Sequence, residues 1–220
     1  MSEDQRTPDD SKPTHLSGRA LLMTGIAAPT VLGLAALVGG SLYPGYSHVS
    51  QFISELGAAG APFPSVLNFG GLIPAGALTF AFALAMYWNH GSGRTLTFSC
   101  AFVAWAGLSQ LIAGVFPCDP GCSFEAMSRS AQIHALAGFS ASVSRFVAPL
   151  LFAVANRAKH ARLFWSSLLL GAGSLVALAV GSQQGADSPC VGILQRIHVA
   201  FFFTWVVIVA IAGAVQPRFK

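Results

Sequence analysis

The stretch LFWSSLLLGAGSLVALAVGS, residues 163–182, decides the fold. It carries no charged side chain over its 20 positions. A helix of that length rises roughly 30 Å and crosses the hydrocarbon core of a bilayer. Before it lies a short cationic run with Arg157, Lys159 and Arg162. After it comes residues 183–189, with Asp187 and no cation. Cytoplasmic loops hold the excess of Lys and Arg, so this asymmetry predicts a transmembrane helix that starts on the cytoplasmic side.

The same test works outward along the chain. Residues 192–215 form an equally plain apolar span, and 20–42, 65–88, 95–116 and 131–155 satisfy it as well. The second and fourth spans contain Pro74 and Pro149, which membrane helices accommodate with a local kink. The prediction is an all-α polytopic membrane protein: a single six-helix transmembrane domain over residues 19–216. A polar tail over 1–18, rich in Asp, Ser, Thr and Pro, reads as disordered, and 217–220 form a second short tail. No A-x-A-like cleavage site follows the tail, so the first span is expected to stay as an anchor.

Composition agrees. The chain is 54% hydrophobic and 9% charged, with a mean hydropathy of +0.63, whereas a soluble domain is about a quarter charged. The net charge of +4 is no sign of nucleic-acid binding, because the cations flank apolar spans. Nine of the 12 cations (Arg6, Lys12, Arg19, Arg94, Arg157, Lys159, Arg162, Arg218 and Lys220) fall on one side. Arg129 and Arg196 fall on the other, and Arg145 lies inside a span. Outside the tail the acids are Glu55, Asp119, Glu125 and Asp187, all on the cation-poor side. Both termini are therefore expected in the cytoplasm and the protein in the inner (plasma) membrane. No P-loop, dinucleotide glycine fingerprint or zinc-finger spacing is present, which excludes the common nucleotide and nucleic-acid partners.

The cation-poor face carries the unusual chemistry. In the first outer connection Tyr46, Val49, Ile53 and Leu56 recur at helical spacing, which predicts a short amphipathic helix ended by Gly57. His48, Ser54 and Glu55 then face either the bundle or the surface. The second outer connection contains FPCDPGC, residues 116–122. Its Asp-Pro-Gly turn brings Cys118 and Cys122 close, and on an oxidising face a disulfide is favoured over a metal. Cys190 shares that face, so the pairing among the three stays open. His134 and His198 begin the fourth and sixth spans near the same depth. Imidazoles and carboxylates together suit zinc or proton handling, although no H-E-x-x-H spacing is present.

Arg145 is the costliest residue in the sequence. It lies eleven residues, about three turns, after His134, so His134, Gly138, Ser142 and Arg145 share one helix face. An intramembrane charge must turn inward, and no carboxylate lies at its depth. Its candidate partners are Asn68, Ser109, Gln110, backbone carbonyls or an anion. Gln195 and Arg196 form a further polar edge beside His198.

The run VSQFISELG, residues 49–57, with Asn68, FPCDPGC, His134 and Gln195-Arg196, resembles a prokaryotic membrane family catalogued as domain of unknown function 998. The resemblance spans residues 20–215 and implies a six-helix membrane protein with no settled activity. Residues 53–57 are also similar to a segment of the Frag1/DRAM/Sfk1 group of six-span proteins, some of them linked to lipid remodelling.

These residues support a membrane-embedded hydrolase or lipid-modifying enzyme acting on a lipid or lipid-linked substrate. Its catalytic candidates are His48, Glu55, Asp119, His134 and His198. Arg145, Arg196, Gln195, Asn68 and Ser54 are the candidates for holding a head group or another anionic substrate. Zinc is a conceivable cofactor. Haem between His134 and His198 is the less favoured one, since a second ligand pair for electron transfer across the membrane is absent. A small transporter and a non-catalytic assembly or regulatory protein remain as alternatives.

Overall fold

A computed structural model describes residues 15–89, 93–184 and 188–215. Most of the expected N-terminal tail, His90, Asp187 and residues 216–220 lie outside the described residues. Among the described residues, six helices are long and apolar enough to cross a membrane: α1 (Ala20–Leu42), α2 (Pro64–Asn89), α3 (Arg94–Val115), α4 (Arg129–Asn156), α5 (Ala161–Ser182) and α6 (Val191–Val215). Each agrees with its sequence-based span to within a few residues, because length and apolarity are local properties that a bilayer reads directly.

Helices α2 to α6 pack consecutively, each against the next, and α1 closes the bundle against α2 and α6. Small residues set the closest approach. A Cβ added at Gly76 would lie 2.6 Å from the Gly107 carbonyl oxygen, and one at Gly107 would lie 2.7 Å from that of Gly76. Only glycine on both sides permits this backbone contact between α2 and α3, the usual way for membrane helices to gain packing without a hydrophobic drive. Inter-helix hydrogen bonds add to it: Ser99 Oγ donates to the Ala148 carbonyl at 2.8 Å, and Trp205 Nε1 donates to Ser167 Oγ at 2.9 Å.

Proline is handled by two devices. Pro149 sits inside α4, and Pro29, which sequence reading passed over, sits inside α1. Ahead of Pro74 the chain widens into a π-helical turn at Asn68–Leu72, where the Ile73 N–H reaches back to the Asn68 carbonyl. That extra residue opens the turn that the proline ring would otherwise crowd, so α2 is adjusted by a π-bulge.

The two halves of the bundle differ. Towards the short connections the core is solid, with Phe82, Phe152, Phe202, Trp205, Val206 and Val209 almost wholly buried. Trp205 and Phe152 meet edge to face at 5.6 Å. Towards the long connections, polar residues enter and the packing opens.

The first long connection differs from its expected form. Its helical part is a 3-10 turn, Ile53–Gly57, instead of an amphipathic helix running from Tyr46. The reason lies in the backbone groups of residues 49–53. The Ile193 N–H donates to the Val49 carbonyl at 2.8 Å, Ile53 N–H donates to Gln195 Oε1 at 2.7 Å, and Arg196 Nη1 donates to the Gln51 carbonyl at 2.8 Å. Groups committed to α6 are unavailable for a local helix. At the contact a Cβ on Gly192 would lie 2.7 Å from the Gln51 nitrogen, so the strap lies directly on the helix start.

Candidate functional site

A cavity of about 520 Å³ lies between the long-loop ends of α4, α5 and α6. Its roof is Phe52 and Ser54 from the strap and Cys118 and Cys122 from the next connection. The helical period of α4 places His134, Gly138, Ser142 and Arg145 in its wall, the shared face expected from their spacing. α5 contributes Ala177, Leu178 and Gly181, and α6 contributes Leu194, Gln195 and His198. Phe124 and Phe139 line the cavity yet are 64% and 67% exposed, so its apolar wall is open at the side of the bundle. A Cβ at Gly138 would meet nothing within 4 Å, which leaves the middle of the cavity clear.

Two imidazoles define the polar side. His134 Nδ1 lies 3.0 Å from the Ala113 carbonyl oxygen and 2.9 Å from that of Phe116. Carbonyls only accept, so Nδ1 carries the proton and Nε2 of the neutral ring keeps a lone pair. His198, 2% exposed, has Nδ1 at 3.0 Å from the Ser174 carbonyl and 2.9 Å from Ser174 Oγ, and its Nε2 has no partner. A ring held at Nδ1 by the backbone with Nε2 left over is the arrangement that general bases and metal ligands share. Among the described residues, however, no three His, Cys, Asp or Glu side chains gather as a metal site.

Among the described residues the Arg145 side chain has one hydrogen bond: its Nη2 donates to Gln110 Oε1 at 3.2 Å. Its Nε–H and the Gln110 Nε2 are buried without partners. The described carboxylates, Glu55, Asp119 and Glu125, all sit in connections, and none is hydrogen-bonded to Arg145.

Sequence reading gathers ten residues round one site, and the structure divides them. Ser54, His134, Arg145, Gln195 and His198 line the cavity; His48, Glu55, Asp119, Asn68 and Arg196 do not. The second group serves the connections. Glu55 accepts from Phe52 N–H and from Gln51 Nε2, both at 2.8 Å, which closes the 3-10 turn. Asp119 Oδ2 accepts from Ser128 N–H at 2.7 Å, and this bond holds its carboxyl below the usual range. Asn68 Nδ2 donates to the Gly57 carbonyl at 2.8 Å. Arg196 bonds the carbonyls of Gln51 and Gly192, Tyr46 Oη at 2.6 Å and His48 Nδ1 at 3.1 Å. Burial, then the Arg196 charge, pushes the His48 imidazole below its ordinary value.

Cys118 and Cys122 form a disulfide with Cα atoms 5.1 Å apart, and Cys190 is free and exposed, which answers the open pairing. The disulfide also packs on Ser54, whose hydroxyl lies 3.5 Å from Cys122 Sγ. Sequence reading missed Ser174. Its signal was there: Ser167, Gly171 and Ser174 form a buried small-residue stripe along an otherwise bulky α5.

Residues 26–212 match the family model described as protein of unknown function (DUF998), and the chain belongs to that family. The match carries nothing for the Frag1/DRAM/Sfk1 likeness. No curated protein and no solved structure matched the chain.

Proposed function

We propose that this integral membrane protein draws the polar end of a lipid or lipid-linked substrate into the cavity from the extracytoplasmic leaflet, and acts on it there. The observation that carries this reading is the pair His134 and His198. Both line one cavity, and both have Nδ1 fixed by backbone carbonyls. A neutral Nε2 in that setting can take a proton from a hydroxyl or water, the work of a general base. Arg145 holds the head group, since a guanidinium is the favoured partner for phosphate or carboxylate oxygens. The side wall of Phe124, Met127, Phe139 and Leu178 suits the hydrocarbon part, and its exposure supplies a path from the bilayer.

A non-catalytic membrane partner is the second reading. It is favoured by the saturated connections, where His48, Glu55, Asp119 and Arg196 serve a structural end.

The experiment is lipid mass spectrometry on protein in nanodiscs made from a native lipid extract. Wild type is expected to change the abundance of one lipid class over time. His134→Asn and His198→Asn are expected to lose that change by at least a hundredfold at unaltered thermal midpoint. Wild-type kinetics in both variants would leave the non-catalytic reading standing. Sidedness is read on intact cells: a membrane-impermeant maleimide is expected to label the exposed Cys190 thiol.

A further inference from the structure

Below the strap a smaller chamber of about 80 Å³ adjoins the cavity and shares Ser54, His134, Gly138, Arg145 and Gln195 with it. Its far wall is Ser109 and Gln110 of α3. That volume suits a few waters or one oxyanion, and no acyl chain.

Two donors of this chamber are buried without acceptors. Gln110 is 3% exposed, and its Oε1 is already turned to Arg145. What remains on Gln110 is the Nε2 donor, and it has no acceptor. The Arg145 Nε–H is likewise buried without one. Ser140 Oγ donates to the Ala137 carbonyl, so the Ser109 hydroxyl, 3.1 Å from Ser140 Oγ, is the donor of that contact and its proton is already used. A buried donor without a partner is costly, and a buried guanidinium without a counter-charge more so. The groups that would end both deficits are oxygens bearing negative charge.

We infer that the chamber around Arg145 and Gln110 is a subsite for a phosphate group. A tetrahedral oxyanion has oxygens enough to meet both donors at once while staying bonded to a chain in the larger cavity. Of the two imidazoles, His198 lines the larger cavity alone and His134 lines both chambers, so a phosphate gripped at Arg145 and Gln110 stays beside His134. The inference deepens the reading of a lipid or lipid-linked substrate and rests on it for the chain, though not for the anion.

The test uses the purified full-length protein in neutral detergent with three probes: inorganic phosphate, dioctanoyl phosphatidic acid and dioctanoylglycerol. The decisive variant is Gln110→Glu, which keeps the side-chain shape and supplies Arg145 with a carboxylate from within. Wild type is expected to bind the phosphatidic acid at least tenfold tighter than the glycerol. Gln110→Glu is expected to erase that preference while its thermal midpoint holds. Protection of wild type, and not of the variant, by inorganic phosphate alone supports the subsite with a free ion as ligand. Protection only by the chain-bearing phosphate supports it with a lipid head group. Equal affinity of wild type for both amphiphiles, or an undiminished preference in Gln110→Glu, overturns the subsite. Gly181→Leu, which enters the larger cavity alone, separates this from the wider reading. Loss of both amphiphiles in that variant upholds the cavity even when the phosphate preference fails. Unchanged binding of both, or no binding of any probe by wild type, sinks the cavity reading itself.

Discussion

Arg196 and Arg145 are both guanidiniums in the long-loop half of the bundle, and they live in opposite circumstances. Arg196 donates to two carbonyls, a phenol and an imidazole, and so binds α6 to the strap that crosses its start. Arg145 makes one long bond to Gln110 and keeps a buried N–H without an acceptor. A satisfied polar network rigidifies; an unsatisfied one stores a cost that a ligand can relieve. The contrast therefore separates the part of the molecule that holds shape from the part that waits for an occupant.

The largest expected effect lies in the strap. Arg196→Met removes the bond to the Gln51 carbonyl and leaves Tyr46 Oη only its bond to the Phe52 carbonyl, and is expected to cost about 3 kcal/mol, read as a lower thermal midpoint in detergent. Arg145→Met removes an unmatched charge and is expected to leave stability equal or raise it by about 1 kcal/mol. If both substitutions destabilise alike, the contrast fails.

Next is the roof. Replacing Cys118 and Cys122 together by Ala opens a short loop and is expected to cost about 2 kcal/mol by the chain-entropy relation. Because the disulfide lines the cavity while Cys190 does not, ligand binding is expected to weaken with this pair and to be indifferent to Cys190→Ala.

The smallest effect is one of pH. The folded-state pKa of His48 is depressed below its ordinary 6.5, so the unfolded chain takes up its proton first as pH falls. Stability from this residue is complete above about pH 6.5 and declines below it, as a second cation forms beside Arg196. A thermal midpoint measured against pH is expected to show this decline, and His48→Asn is expected to flatten it. A variant profile as steep as wild type would mean that the strap is not the sensor.

How much of this was legible depended on the range of the interaction. The span boundaries were readable, and so was the face His134, Gly138, Ser142 and Arg145, because a helical period is set within one segment. Gln110 was among the partners anticipated for Arg145, since depth in a span can be counted. The connections were not readable in this way. Tyr46 to Leu56 has helical spacing, but its backbone bonds to residues some 140 positions away cancel the local preference. Glu55 and Asp119 were among the catalytic candidates by residue type and side. Whether a carboxylate faces a cavity or closes a turn is decided by which N–H groups reach it, and those are visible only in three dimensions.

The sequence by itself determined that this chain makes six apolar helices and turns one polar face of α4 inward, because a bilayer demands length, apolarity and inward-facing charge of every span separately. Only the tertiary structure decided which polar groups are spent and which are spare. That assignment is made by partners far apart in the chain, such as Arg196 and Tyr46, separated by 150 residues, and hydrogen-bond capacity used at one contact is gone from every other.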